Sequence, residues 1–336
     1  MSSAPTPQEI AADAAWLAQA MDPASGNTRF VRMSSADYRG ASFLDDRLFQ
    51  VQREYHAMPW DRATSGLTPD ARTDARWIFH IGHVGSTLIS RMLGELPGVL
   101  SLREPRLLRD LAGSPAQLDR DILGLRRLLS RTFEAGDIAV VKATSFVSEL
   151  ASTLVPADGR ALFIYTGPRA YLGTCLSGEN TMAEVMGLSA TRLLRMAPRV
   201  PLPDFPDRPA FHVAAAWACE MTALEAAADA LPPETVQWLD FDRFLADPAG
   251  ALGEAAQFFG VGATPDQIAV IAAGPLMRRY SKALEFDYSP QLRADLIAEA
   301  TDAHAADVGG ALAMLQSAAQ DSPLLARALE RSAGER

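Results

Sequence analysis

Between Trp77 and Leu88 the chain reads Trp-Ile-Phe-His-Ile-Gly-His-Val-Gly-Ser-Thr-Leu, an apolar run broken by two glycines and two hydroxyl residues before a helical pattern begins. That break has the composition of a phosphate cradle. Gly82 and Gly85 let the backbone fold closely around an anion, and Ser86 and Thr87 offer hydroxyls. The first amides of the following helix point inward, and its dipole adds about half a positive charge. Two charged residues follow other apolar runs: Glu104 after Val99 to Leu102, and Lys142 after Ile138 to Val141. Ligands of open α/β sheets bind at the carboxyl ends of the strands, the crevice that both charges face. Farther on, Met277-Arg278-Arg279-Tyr280-Ser281-Lys282 sets three cations beside a Tyr and a Ser, a composition suited to clamping an anion. By residue type alone, each feature also has a plainer reading: an ordinary strand-to-helix turn, a solvated loop carboxylate, a surface lysine, a solvated basic face.

Several chemistries are excluded by spacing. Only two residues separate Gly82 from Gly85 and no lysine follows, so this is not the Gly-x4-Gly-Lys-Ser/Thr loop of ATP and GTP hydrolysis. There is no Gly-x-Gly-x-x-Gly dinucleotide loop, and the Ser86 turn lacks the flanking glycines of a hydrolase elbow. His80 and His83 are three apart at a strand end with no cysteine nearby, which does not make a zinc site.

The elements that must position these residues alternate in type. Short runs rich in Val, Ile, Phe and Trp occur at Trp77 to Ile81, Val99 to Leu102, Ile138 to Val141, Leu162 to Tyr165 and Val236 to Leu239. Such runs read as strands buried on both faces of a parallel sheet, with the second expected beside the first. Helical spacing separates them, at Thr87 to Leu96, Leu118 to Phe133 and Phe211 to Leu231. The pattern predicts an α/β domain over residues 73–290 with right-handed crossovers. Residues 1–72 are expected to be a helical extension built on an amphipathic helix from Pro7 to Met21. The Ala-rich residues 291–336, with one long helical stretch from Pro290 to Leu315, are expected to pack on the same domain.

The 336 residues suffice for a full hydrophobic core, and 48% hydrophobic with 21% charged residues excludes disorder for the bulk of the chain. Lys plus Arg number 31 against 41 Asp plus Glu, a net charge of −10 that argues against nucleic acid as a partner. Two cysteines, Cys175 and Cys219, form no disulfide framework. Residues 1–26 lack a basic segment followed by an apolar one, and no uninterrupted apolar run reaches membrane-spanning length. A cytoplasmic location without a membrane span is expected.

The loop resembles the 5′-phosphosulfate loop of the sulfotransferase family, written Pro-Lys/Arg-Ser-Gly-Thr-Thr, whose places are taken here by Gly82, His83, Val84, Gly85, Ser86 and Thr87. The resemblance spans roughly Trp77 to Tyr288. It implies a P-loop-type three-layer sandwich of about five parallel strands. The implied donor is 3′-phosphoadenosine 5′-phosphosulfate (PAPS), with 3′,5′-adenosine bisphosphate (PAP) as product and no metal. His83 takes the role of the family's Lys or Arg. In protein-tyrosine sulfotransferases, the type this chain's motifs resemble best, a catalytic glutamate follows the second strand, and a gap-free count from the loop reaches Glu104. Some cytosolic members use a histidine after the third strand, a place held here by Thr144. The resemblance therefore implies Glu104 as base and Lys142 as support for the leaving phosphate.

The family's 3′-phosphate motif is a strand followed by Arg-Asp-Pro-Arg-Asp and then a serine in the next helix turn. Phe163 to Ser177 is similar to it: Pro168 and Arg169 match, the first arginine falls on Thr166, and the serine falls on Thr174, with Ser177 one turn later. Arg278, Arg279 and Lys282 resemble the C-terminal basic loop that closes over the nucleotide. Val236 to Pro248 is similar to the structural strand with Tyr-Glu-Asp-Leu-x-x-x-Pro. Acceptor contacts are expected from residues 175–215 and the N-terminal extension. Two alternative readings are a non-catalytic nucleotide-binding protein of the same fold and another phosphoryl-group enzyme.

Overall fold

The computed structural model describes residues 3–279 and 287–334. The N-terminal segment departs from the expected helix. Its helix Pro7–Ala12 stops at Asp13, which adopts an extended backbone and whose carboxylate accepts the Ala15 N–H at 2.7 Å. A short acidic side chain competing for local backbone donors ends helices in this way. Trp16–Asp22 is then strand β1, antiparallel to β2 (Asn27–Arg32), which pairs with β3 (Tyr55–Pro59). Every residue from Trp16 to Met21 is buried, so the run has no alternation that separates strand from helix. The expected helical extension is thus a mixed segment, a three-stranded antiparallel sheet with short helices around it.

The five runs expected as strands form the main sheet: β4 (Arg76–His80), β5 (Val99–Arg103), β6 (Ile138–Lys142), β7 (Arg160–Tyr165) and β8 (Val236–Asp240). All pairings are parallel, in the order β5-β6-β4-β7-β8. The second strand, β5, is therefore not beside the first; β6 lies between them. Buried apolar runs state which segments are strands and carry no label for their order. Side chains alternating in β4, β7 and β8 build an aromatic ladder on one face, with ring centroids 5.8 Å apart for Phe79 and Phe163 and 5.2 Å for Phe163 and Trp238.

Both faces of this sheet are buried, giving the three-layer α/β architecture. The helix Pro209–Ala230 is apolar nearly all round and buried along most of its length, as a helix enclosed by other elements must be. It packs against Ala305–Ala318 and Pro323–Gly334. The expected long helix from Pro290 divides at His304 into Pro290–Ala303 and Ala305–Ala318. No helix among the described residues is long and apolar enough to cross a membrane.

Buried arginines fasten the N-terminal segment to the main sheet. The Arg103 guanidinium, at the end of β5 and 1% exposed, donates to the carbonyls of Tyr38, Arg39 and Ala41. Arg91 donates to Ser42 Oγ at 2.7 Å, and the Leu44 N–H donates to the Arg103 carbonyl at 2.7 Å. These bonds fix the backbone on either side of Phe43. Arg103→Ala would leave several carbonyls buried without donors, and is expected to destabilise the protein by about 2–4 kcal/mol. Urea denaturation measures the loss, and limited proteolysis should show new cleavage between residues 35 and 47.

Candidate active site

The parallel register brings the strand ends together along one edge. Arg103 is level with Lys142, His80 with Ile164, and Tyr165 with Asp240. The residues just beyond these ends line a cleft of about 680 Å³, a size common for small-molecule sites.

The glycine loop leaves β4, the middle strand, and enters the helix Ser86–Gly94. Its backbone turns through the left-handed region at Gly82 (φ 83°), His83 (φ 52°) and Gly85 (φ 64°). Such successive turns aim amides into a concavity that suits an anion. Three contacts hold the loop from behind. The Gly82 N–H donates to His80 Nδ1 at 3.0 Å, so the neutral imidazole carries its proton on Nε2. Tyr171 donates its hydroxyl to the Ile81 carbonyl at 3.2 Å, and burial pushes this phenol far up, keeping it protonated. At Gly85 the Phe241 ring occupies the space a side chain would need. Thr87 is 1% exposed and its Oγ1 has no hydrogen-bond partner among the described residues.

Glu104 follows β5 with φ 54°, a left-handed conformation that is unfavourable for a residue with a Cβ. The turn is held by its N–H, which donates to the Lys142 carbonyl at 2.7 Å, and it carries the carboxylate back over β6. Glu104 Oε1 accepts from Lys142 Nζ and lies 3.8 Å from His80 Nε2. Lys142 is almost wholly buried, and its ammonium is 5.7 Å from the Phe43 ring centroid. Phe43 is covered by the Arg47 guanidinium, 3.4 Å above its ring, and Arg47 is paired with Asp45 at 2.5 Å. Phe43, Asp45 and Arg47 all line the cleft, so the N-terminal segment forms part of its wall.

Of the residues singled out by sequence, Gly82, His83, Val84, Gly85, Ser86, Thr87, Glu104, Lys142, Thr174, Ser177 and Arg279 line this cleft. His83 Nε2 is 3.7 Å from Glu184 Oε2, and Arg279 is paired with Asp287 at 3.0 Å. Arg169 and Arg278 are exposed and are not among the lining residues. Lys282, with Tyr280 and Ser281, lies outside the described residues. Thr166 is fully buried and donates to Asp242 Oδ2 at 2.5 Å. Sequence reasoning missed Phe43, Arg47, Arg109 and Arg293 as cleft residues, and took His80 only as half of a discarded metal pair. Position at a strand end marks His80; the others reach the cleft from distant segments and carry no local signal.

Fold and site together define a parallel α/β protein with a glycine-rich left-handed loop on its middle strand and a carboxylate–ammonium pair at the neighbouring strand ends. The sequence matches no family model and no curated protein. Among solved structures, it is similar to the sulfotransferase domain from the curacin biosynthetic pathway, with 15% identity and a TM-score of 0.43 over 64% of this chain and 83% of that one. Mouse sulfotransferase SULT7A1 complexed with PAP matches at 14% identity and a TM-score of 0.41, over 78% of this chain and 90% of that one. A sulfotransferase from Alicyclobacillus acidocaldarius matches at 15% identity and a TM-score of 0.39, over 73% and 94% respectively.

Gly85→Ala tests the loop. It would force a side chain into the left-handed region and against Phe241, and is expected to destabilise the protein by about 2 kcal/mol or more. Urea denaturation measures the loss; if the loop holds a nucleotide phosphate, calorimetry on the folded fraction should show adenosine 5′-monophosphate binding weakened about tenfold or more as the amides lose their aim.

Proposed function

We propose that the protein is a sulfotransferase that moves a sulfuryl group from PAPS to an acceptor hydroxyl or amine. The observation that carries this reading is the meeting, in one cleft, of the Gly82–Thr87 anion loop and the Glu104–Lys142 pair. The likeness of the loop and of Glu104 to the family's motifs supports the donor. The lining residues also fit a nucleotide bearing more than one anionic group. Thr87 and Thr174 each bring a buried hydroxyl that lacks a hydrogen-bond partner among the described residues. Such donors are expected where a ligand completes the set.

When bound, the donor supplies a sulfuryl group on a mixed anhydride: the acceptor oxygen or nitrogen bonds to sulfur as the bond from sulfur to the 5′-phosphate oxygen breaks. The loop amides, Ser86, Thr87 and His83 hold that phosphate and meet the negative charge that grows on it. Glu104 takes the proton released by the acceptor. Lys142 orients Glu104 through their ion pair and brings positive charge to the leaving-group side. Phe43, with Arg47 stacked on its ring, forms a wall beside this pair where an acceptor would lie.

Glu104→Gln is expected to lower turnover by about a hundredfold or more while leaving PAP affinity nearly unchanged. PAP release from PAPS with a panel of phenol, sugar and amine acceptors measures the first, and calorimetry the second. Loss of PAP binding in the variant would give Glu104 a structural role. Binding without turnover on any acceptor by the unaltered protein would favour a non-catalytic nucleotide-binding role.

A further inference from the structure

The end of β7 carries no cation. Thr166 stands there, and its side chain is directed across to the helix Phe241–Ala246 that follows β8. Its hydroxyl donates to Asp242 Oδ2 at 2.5 Å, and the other carboxylate oxygen, Oδ1, accepts from Arg293 Nη1 at 2.6 Å. Asp242 thereby bridges β7 to an arginine in the first turn of the helix Pro290–Ala303. The guanidinium is 13% exposed and lies 5.1 Å from the Phe241 ring centroid, the same ring that backs the anion loop at Gly85. Arg293 lines the cleft, and its Nη2 is buried without a hydrogen-bond partner among the described residues.

The helix bearing Arg293 is held against Pro168–Leu176 by a close approach. A Cβ at Gly173 would lie 2.7 Å from Ile297 Cγ2 and 3.0 Å from the Ile297 carbonyl oxygen, so only glycine admits this spacing. Thr174, next to that contact, also faces the cleft with its hydroxyl buried and unpartnered among the described residues. A guanidinium fixed along one edge and an unpaired hydroxyl on the adjoining wall thus present donors to the same space.

We propose that Arg293, positioned by Thr166 and Asp242 and joined by Thr174, is the anion subsite for a second phosphate monoester on the nucleotide. Resting on the PAPS reading above, this phosphate is the 3′-phosphate of the donor. The arginine that the family's motif carries at the end of this strand is here delivered from the C-terminal helix. Asp242 occupies Nη1 and leaves Nη2 to donate to a phosphate oxygen, a charge-assisted bond that a monophosphate nucleotide does not make.

The test is calorimetric titration of the full chain with PAP and, separately, with adenosine 5′-monophosphate. The unaltered protein should prefer PAP by about tenfold or more. Arg293→Ala should remove most of that preference by weakening PAP alone, with affinity for the monophosphate kept within about twofold. Arg293→Lys, which keeps the charge and loses the fork, should fall between. An undiminished PAP preference in Arg293→Ala overturns this assignment and leaves the donor reading standing. No PAP preference in the unaltered protein overturns the donor reading, and the subsite with it. Retained monophosphate binding and an unchanged circular dichroism spectrum certify the fold of each variant. If Arg293→Ala fails that check, Arg293→Gln, which keeps the side-chain stem, gives the same decision.

Discussion

Parallel pairing is the constraint on which the site depends. Because all five strands of the main sheet run the same way, their carboxyl ends finish along one edge, and the chain must leave each strand there before it crosses back. Residues 38 or more positions apart then become neighbours without any local attraction between them. Arg103 and Lys142 are level in adjacent strands, so the residue after one can fold over the residue closing the other. Glu104 does so, in a left-handed conformation held by a backbone bond to the Lys142 carbonyl and a side-chain pair with its ammonium. A strained backbone at a cleft carboxylate persists only where surrounding contacts over-determine it, and here two contacts to the same lysine do.

The cleft does not share the acidic excess of the whole chain. The chain carries −10, whereas the cleft lining sets Arg47, Arg109, Lys142, Arg279 and Arg293 against Asp45, Glu104, Glu184 and Asp287. Four of these are tied to carboxylates: Arg47 to Asp45, Lys142 to Glu104, Arg279 to Asp287 and Arg293 to Asp242. Pairing orients a long cationic side chain and reduces the penalty of burying it, while leaving further N–H groups to donate. That arrangement suits a site meeting small anions, and the net negative charge disfavours indiscriminate capture of polyanions.

The N-terminal segment is part of the cleft because of how it is attached. Arg91 and Arg103 hold the backbone carbonyls and Ser42 around Phe43, which carries that ring to Lys142. On the opposite side, the C-terminal helix Pro290–Ala303 brings Arg293 through the close contact at Gly173. Thus the glycine loop and the Glu104–Lys142 pair come from the sheet itself, and the walls come from the two ends of the chain.

All five main strands and the glycine turn that leaves β4 were legible from sequence alone, because each is encoded by contiguous residues: an apolar run buried on both faces, then glycines where the backbone must enter the left-handed region. Glu104 and Lys142 were legible as strand-end charges for the same reason. The N-terminal strand β1 was not, since burial on both faces erases the alternation that distinguishes a strand from a helix. Strand order, the pairing of Glu104 with Lys142, and the arrival of Phe43 and Arg293 at the cleft were decided only by the tertiary structure. These depend on hydrogen bonds and packing between segments far apart in the chain, and no local pattern of residue types records which distant partner will complete them.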